Sequence, residues 1–159
     1  MGLSSSIVGL HYRYPEFYEV GREKIREHAT AVKNTQLCFQ DDAVAAELGH
    51  TSLPAPLTFT CMLGYAAQVA FFEHAGIVLN DEQIVQIDQV LKFIKPVFAG
   101  DRLYCDVHVD SFRRAHGTDV IVTKNIVTNE RGEVVQETYT TLAGRAGEDG
   151  TEGFADGTS

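Results

Sequence analysis

The stretch that most constrains this chain is residues 53–76, LPAPLTFTCMLGYAAQVAFFEHAG. Pro54 and Pro56 fix φ at its entrance, where a missing N–H costs little because the first helical turn leaves those donors unpaired anyway. No charged residue then appears from Leu57 to Phe72. Leu57, Cys61, Tyr65 and Val69 fall on one side at i, i+4 spacing, and Phe59, Met62, Leu63, Ala66, Ala70 and Phe72 fill the others. A helix apolar all round is buried on every side or crosses a membrane. The run is shorter than the ~20 mainly apolar residues of a span. It also contains Thr58, Thr60 and Gln68, and no flanking Lys/Arg cluster orients it. A buried helix of a globular domain is therefore predicted, stopping near Gly76. At 1.5 Å per residue it is ~25–30 Å long, about the width of five or six strands at ~4.8 Å spacing. One sheet of that size can curl around one such helix.

The remaining segments supply the strands. Residues 102–110 alternate cleanly, with Leu103, Cys105, Val107 and Val109 inward and Tyr104, Asp106, His108 and Asp110 outward. Residues 83–94 place Val85, Ile87, Leu91 and Phe93 on one face, and further strands are predicted over 119–128 and 133–143. Pro96, Gly100, His116-Gly117 and the stretch 129–132 punctuate them, which predicts an antiparallel meander. Earlier in the chain, residues 1–20 read as an entry segment with one edge strand. A helix over 22–32 carries the stripe Ile25, Ala29 and Val32, and a short helix over 41–48 opens on Asp41-Asp42 and ends at Gly49. Helices followed by antiparallel strands make an α+β layout, and a sheet wrapped around one long buried helix is the hot-dog fold. Residues 1–145 are expected to form that single domain. Residues 146–159 lack the apolar content to fold and are expected to be a disordered tail.

The formal net charge of −9 excludes a general nucleic-acid binder, which needs a basic footprint. Three widely spaced cysteines, Cys38, Cys61 and Cys105, suit a reducing cytoplasm and neither a disulfide framework nor a zinc site. No signal-peptide apolar region opens the chain. The start MGLSSS matches the myristoylation pattern, a match that short polar sequences produce readily.

Lys92-x-x-Lys95-Pro96-Val97-x-x-Gly100-Asp101-x-Leu103 resembles the strand–turn–strand motif of the MaoC-like (R)-specific hydratases and dehydratases. The order of the helices is also that family's, and the resemblance covers about residues 5–145. The blocks HYRYPEFYEVGREKIREHA, APLTF and QIVQIDQVLKF are similar to the non-catalytic subunits of mycobacterial (3R)-hydroxyacyl-ACP dehydratases. The resemblance implies water elimination to a trans-2-enoyl thioester in type II fatty-acid and mycolic-acid elongation, with no metal or redox cofactor. It further implies an acyl-ACP or acyl-CoA substrate and a catalytic MaoC-like hot-dog subunit as partner.

Catalytic members hold an Asp and a His five residues apart in GDxNPxH, because base and acid must reach the same few substrate atoms. Carried onto this chain, the Asp position falls on Asn34 and the His position on Phe39. An amide is no carboxylate base, and a phenyl ring has no exchangeable proton. No His lies between His28 and His50, so no small shift of register restores the motif. The resemblance thus implies that no catalytic residue resides here, that the partner supplies both, and that Phe39 lets an alkyl chain run past.

The expected substrate-binding residues are Phe39, Cys61, Tyr65, Cys105 and Asn125. Cys61 has apolar neighbours that raise a thiol's pKa, which favours a lining residue over a nucleophile. Cys105 sits on an inward face. Tyr65 and Gln68 need partners, either in a channel or within the core. Asn125 shares a face with Ile121 and Thr123 and is expected to point at the helix. His50 and His74 lie near helix ends, where a cation is favourable, and His28 lies within the first helix beside its apolar stripe. Arg113-Arg114 and Lys92/Lys95 are the local basic excesses that an acidic carrier protein would meet. Two rival functions remain open: a self-sufficient hot-dog hydratase or thioesterase with Asp41 or Glu47 as base, and an acyl-thioester binding module without catalysis.

Overall fold

Regular alternation in the second half of the chain builds the frame. The computed structural model describes residues 3–147 and 149–157; Met1 and Gly2, and with them the myristoylation pattern, lie outside the described residues. The elements are β1 (His11–Arg13), β2 (Tyr18–Glu19), α1 (Arg22–Ala31), α2 (Asp42–Glu47), α3 (Cys61–His74), β3 (Ile77–Leu79), β4 (Ile84–Phe93), β5 (Arg102–Ala115), β6 (Thr118–Asn129), β7 (Val134–Arg145) and β8 (Phe154–Asp156). The antiparallel sheet has the order β1-β5-β6-β7-β4, with β2 also on β5. It curls around α3, so the α+β hot-dog arrangement holds.

Leu103, Cys105, Val107 and Val109 are buried as the alternation requires, and Ile121, Thr123, Asn125 and Val127 of β6 continue the same inner face. Irregularities in register between Val109 and Ser111 and between Gln86 and Asp88 add the local bend that a wrapping sheet needs. The simple meander does not hold. β5, β6 and β7 are joined by hairpins, but β4 pairs with β7, Lys92 opposite Glu137. The link from β4 to β5 is no hairpin because its backbone is engaged by the segment leading into α3. Ala55 donates to Val97 O at 2.7 Å and Ala99 to Leu53 O at 2.9 Å, and Gly100 turns the chain at φ +94°. This leaves β4 at the sheet edge. The expected common face of Val85, Ile87, Leu91 and Phe93 is split by the irregularity, and Val85 (58 %) and Ile87 (54 %) are exposed.

The helix is also less enclosed than its composition implies. Leu63, Ala67, Gln68, Phe71 and Phe72 are buried against the sheet, whereas Leu57 (64 %) and Tyr65 (71 %) stand in the open. Cys61, Tyr65 and Val69 share a side that faces away from the chain's own sheet, whereas Leu57 lies before the helix begins. Regular helix begins only at Cys61. In α1, Ile25 and Ala29 are buried while Val32, at the C-cap, is exposed. α2 is capped by Asp41, whose Oδ1 accepts from Ala43 N at 2.7 Å and Val44 N at 3.3 Å.

The tail is the largest correction. β8 pairs with β3 in a separate two-stranded ribbon, Leu79 opposite Phe154 and Ile77 opposite Asp156. Phe154 is fully buried, 6.3 Å from the Phe72 ring. Gly144 makes the slot: a Cβ there would lie 2.6 Å from the Phe154 ring. One large aromatic with a ready cavity anchors a segment whose mean composition is too polar to fold unaided. Phe154→Ala is therefore expected to cost about 3–5 kcal/mol in denaturant unfolding. Gly144→Ala, which closes the slot instead of emptying it, is expected to destabilise by about 1–3 kcal/mol in the same measurement.

Candidate functional site

Polar side chains fasten α3 to the sheet and decide which of its sides faces outward. Thr123 Oγ1 donates to Gln68 Oε1 at 2.9 Å, and Asn125 Nδ2 donates to the carbonyl of Gly64 at 3.0 Å. Thr60 Oγ1 donates to Gln136 Oε1, and Gln136 Nε2 donates in turn to Thr138 Oγ1 at 3.2 Å. Gln68 thus finds a core partner. Asn125 points at the helix as expected, and the bare backbone of Gly64 admits it: a Cβ there would come within 3.1 Å of Nδ2. The other amide atom, Asn125 Oδ1, is buried and meets no hydrogen-bond partner among the described residues.

The outward side of α3 borders a cavity of about 700 Å³. Tyr65, Gln68, Val69 and Phe72 form its helix wall, Leu142 part of its floor and Ile84 its β4 margin. β3 and Gly157, just past β8, wall its far end. Among the residues expected to bind substrate, Tyr65 lines this cavity. Cys61 lies one turn earlier on the same side, and Asn125 touches the helix at Gly64. Phe39 lies elsewhere, at the end of the 3-10 turn Leu37–Phe39, half-buried against the core. Cys105 is enclosed beneath β5 and lines neither this cavity nor the polar one near residues 51–52.

The thiols are poor nucleophiles. Burial pushes the Cys61 thiol up, and burial with the adjacent Asp106 charge pushes Cys105 up to about 12 against a smaller opposing effect of Arg13. At Asn34 and Phe39, the positions onto which the resemblance carries the family's acid and base, the residues do local structural work. Lys33 takes φ +57° to end α1, Asn34 N donates to Ala29 O at 2.8 Å, and Asn34 Oδ1 accepts from Gln36 N at 3.1 Å. That is an Asx turn, and Phe39 follows it into the packing. Asp41, a rival base, has one carboxylate oxygen engaged in the α2 cap, and Glu47 stands exposed near the other end of that helix.

The histidines have local partners too. His28 Nε2 is 3.1 Å from Thr58 Oγ1 and edge-on to Phe59, His50 lies beside Phe98, and His74 lies beside Tyr12. Arg114 is bound by the buried Asp119 at 2.5 and 2.7 Å and also donates to Leu3 O. It serves the β5–β6 hairpin more than any docking surface. Sequence reasoning missed Ile84 and Leu142 and the ribbon wall as parts of the cavity. Val69 was on the correct side, but only the fold shows that the side borders a groove.

A family model described as FAS1-like, dehydratase domain region, matches residues 6–138. The chain is 67% identical over 157 residues to the UPF0336 protein ML1910 of Mycobacterium leprae, covering 99% of each. It is 68% identical over 157 residues to the UPF0336 protein Rv0635 of Mycobacterium tuberculosis, again covering 99% of each. Among solved structures it is similar to a chain of the C-terminally truncated HadBC (3R-hydroxyacyl-ACP dehydratase) complex of Mycobacterium tuberculosis. That likeness has 44% identity and a TM-score of 0.80, over 89% of this chain and 100% of that one. The matched residues run from the first strand through the helices and the α3 groove into β7, and the neighbouring dehydratase chain has the same architecture. The chain belongs to the FAS1-like dehydratase family, among the MaoC-like hot-dog dehydratases.

Proposed function

We propose that this chain is the substrate-binding, non-catalytic subunit of a heteromeric (3R)-hydroxyacyl-ACP dehydratase of fatty-acid and mycolic-acid elongation. The observation that carries the reading is the pair Asn34 and Phe39 at the family's acid–base positions. Elimination needs one group to take a proton from the α-carbon and one to give a proton to the departing β-hydroxyl. The Asn34 amide is spent on a turn and the Phe39 ring on packing, so the Asp and His come from the partner. This chain shapes the acyl channel, with Cys61 and Tyr65 along its course, Asn125 backing it through Gly64 and Cys105 behind it in the core, while Phe39 lies apart from it in the packing.

The uncovered apolar surface supports a heteromer. Leu57 and Tyr65 on the helix side, with Val85, Ile87, Val90, Phe93 and Ile94 at and just beyond the edge strand, are all exposed in the isolated chain. A long apolar edge is a template for strand pairing, and soluble chains seldom leave one open. A second hot-dog subunit laid beside β4 and α3 covers both at once. The 44% identical neighbour is itself part of a dehydratase complex. No helix among the described residues is long and apolar enough to cross a membrane, and the free thiols of Cys38, Cys61 and Cys105 suit a reducing cytoplasm.

The test is hydration or dehydration of a trans-2-enoyl thioester by the purified chain, alone and mixed with a catalytic MaoC-like subunit. Turnover is expected in the mixture alone and is lost when the partner's Asp or His is replaced. Turnover by this chain alone would overturn the reading, and thioester binding with silence in both arms would leave an acyl-binding module. Val90→Lys on β4 is expected to change the chain's own stability by no more than about 0.5 kcal/mol while abolishing co-elution with the partner. Val69→Phe, which fills the groove, is expected to lower kcat/KM on long-chain substrates about tenfold and to spare short ones, read from a chain-length series.

A further inference from the structure

The α3 groove is closed at one end by a ribbon, one strand of which lies beyond the matched dehydratase region. The groove follows the helix from Tyr65 through Val69 and Phe72 to Gly76, and there it meets β3 and Gly157. Gly76 turns the chain from α3 into β3 at φ +67°, so the closed end lies at the helix C-terminus. The family match stops at residue 138, well before β8. β3 and β8 form a two-stranded sheet of their own, and its backbone is tied down at both ends. Asn80 donates to Gly153 O at 2.9 Å, Gly153 N to Arg145 O at 2.8 Å, and Gly157 N to Gly76 O at 2.7 Å. The fit leaves no slack. A Cβ at residue 153 would lie 2.8 Å from Gln83 O, and one at residue 157 would lie 2.9 Å from Gly76 O. With Phe154 in its slot, the ribbon is a fixed wall rather than a loose flap. Leu79 packs toward the core opposite Phe154, whereas Val78 is 55 % exposed, and both border the groove.

We propose that the β3–β8 ribbon is the chain-length stop of this groove, so that a segment outside the matched dehydratase region sets which acyl chains the subunit takes. Each methylene laid against Val69, Phe72, Ile84 and Leu142 leaves water, and binding gains accordingly. That gain ends where the groove ends. From Tyr65 to Gly76 the helix wall runs ~16 Å, the advance of about a dozen extended C–C bonds of ~1.5 Å. A longer chain meets hydrogen-bonded backbone that has no room to yield. The lining also turns acidic there, with Glu73 and Asp81 bordering the same end. A chain pushed past the ribbon would strip water from a carboxylate, which costs more than a methylene returns. The inference rests on the thioester reading above, since it needs an acyl chain in this groove, but it needs neither turnover nor a partner.

The experiment is calorimetric titration of the full-length chain with octanoyl-, dodecanoyl-, hexadecanoyl- and eicosanoyl-CoA, each below its micelle-forming concentration. The proteins are the wild type, Val78→Phe, Leu79→Ala and a chain ended after Glu152, with thermal unfolding to confirm that each is folded. For the wild type, affinity is expected to rise at least about tenfold from octanoyl to dodecanoyl and to level off by hexadecanoyl. Val78→Phe, which adds a ring at the wall, is expected to move the levelling-off to shorter chains. Leu79→Ala and the shortened chain are expected to move it the other way, binding eicosanoyl-CoA about tenfold more tightly than the wild type does. Should the shortened chain not fold, the two substitutions still decide, because they shift the limit in opposite directions. A levelling-off at the same length in wild type, Val78→Phe and Leu79→Ala would overturn the stop and leave the acyl groove standing. So would a folded, shortened chain that loses affinity evenly at every length. Affinity that ignores chain length in the wild type would instead strike the thioester reading itself, and the stop with it.

Discussion

The structure depends on the polar seam between α3 and the inner face of β6 and β7. An apolar helix on an apolar sheet has many rotational settings of similar energy, since burial is non-directional. The pairs Gln68–Thr123, Asn125–Gly64 and Thr60–Gln136 remove that freedom, because each lies where an unpaired donor or acceptor costs about 1–3 kcal/mol. With the helix locked, Leu63, Ala67 and Phe71 turn inward, Tyr65 and Val69 turn to the groove, and Gln68 and Phe72 border both. The groove wall is thus set in part by the hydrogen bond that Gln68 makes to Thr123.

The edge strand and the open helix side are one problem with one solution. The β4–β5 link engages the segment before α3 in place of closing a hairpin, and β4 is left unpaired on its outer side. The groove lies between that edge and the helix, so whatever covers the edge also roofs the groove. Assembly and substrate binding are therefore expected to be coupled in this family wherever one subunit lacks the acid and the base.

Much of this was legible in the sequence, for identifiable reasons. Strict alternation located the inner faces of β5 and β6, and the charge-free run located the central helix. Asp41 and Gly49 marked the ends of α2. The neighbour of β4 was not legible, because it depends on a long-range backbone link that no local pattern encodes. The open side of α3 was not legible either, since an apolar residue reads the same whether its own sheet or another subunit covers it. The assignment of the family's acid–base positions to Asn34 and Phe39 rests on a family motif alone, as neither residue is unusual in a turn. β8 was missed because composition averages over Phe154, and the slot that holds it is made by Gly144, far along the chain. The polar cavity beside residues 51–52 was hidden for a similar reason: Lys95 and Arg131 belong to separate turns that only the sheet brings together.

The ribbon of β3 and β8 has a practical meaning for anyone handling the protein. Its two strands wall the far end of the α3 groove, and the one fully buried side chain of β8 is Phe154, close to the last described residue, Gly157. A bulky fusion or an immobilising linkage at the carboxy terminus therefore loads the groove's end wall directly. The opposite terminus feeds the far edge of the sheet through β1, so a tether there leaves the groove untouched.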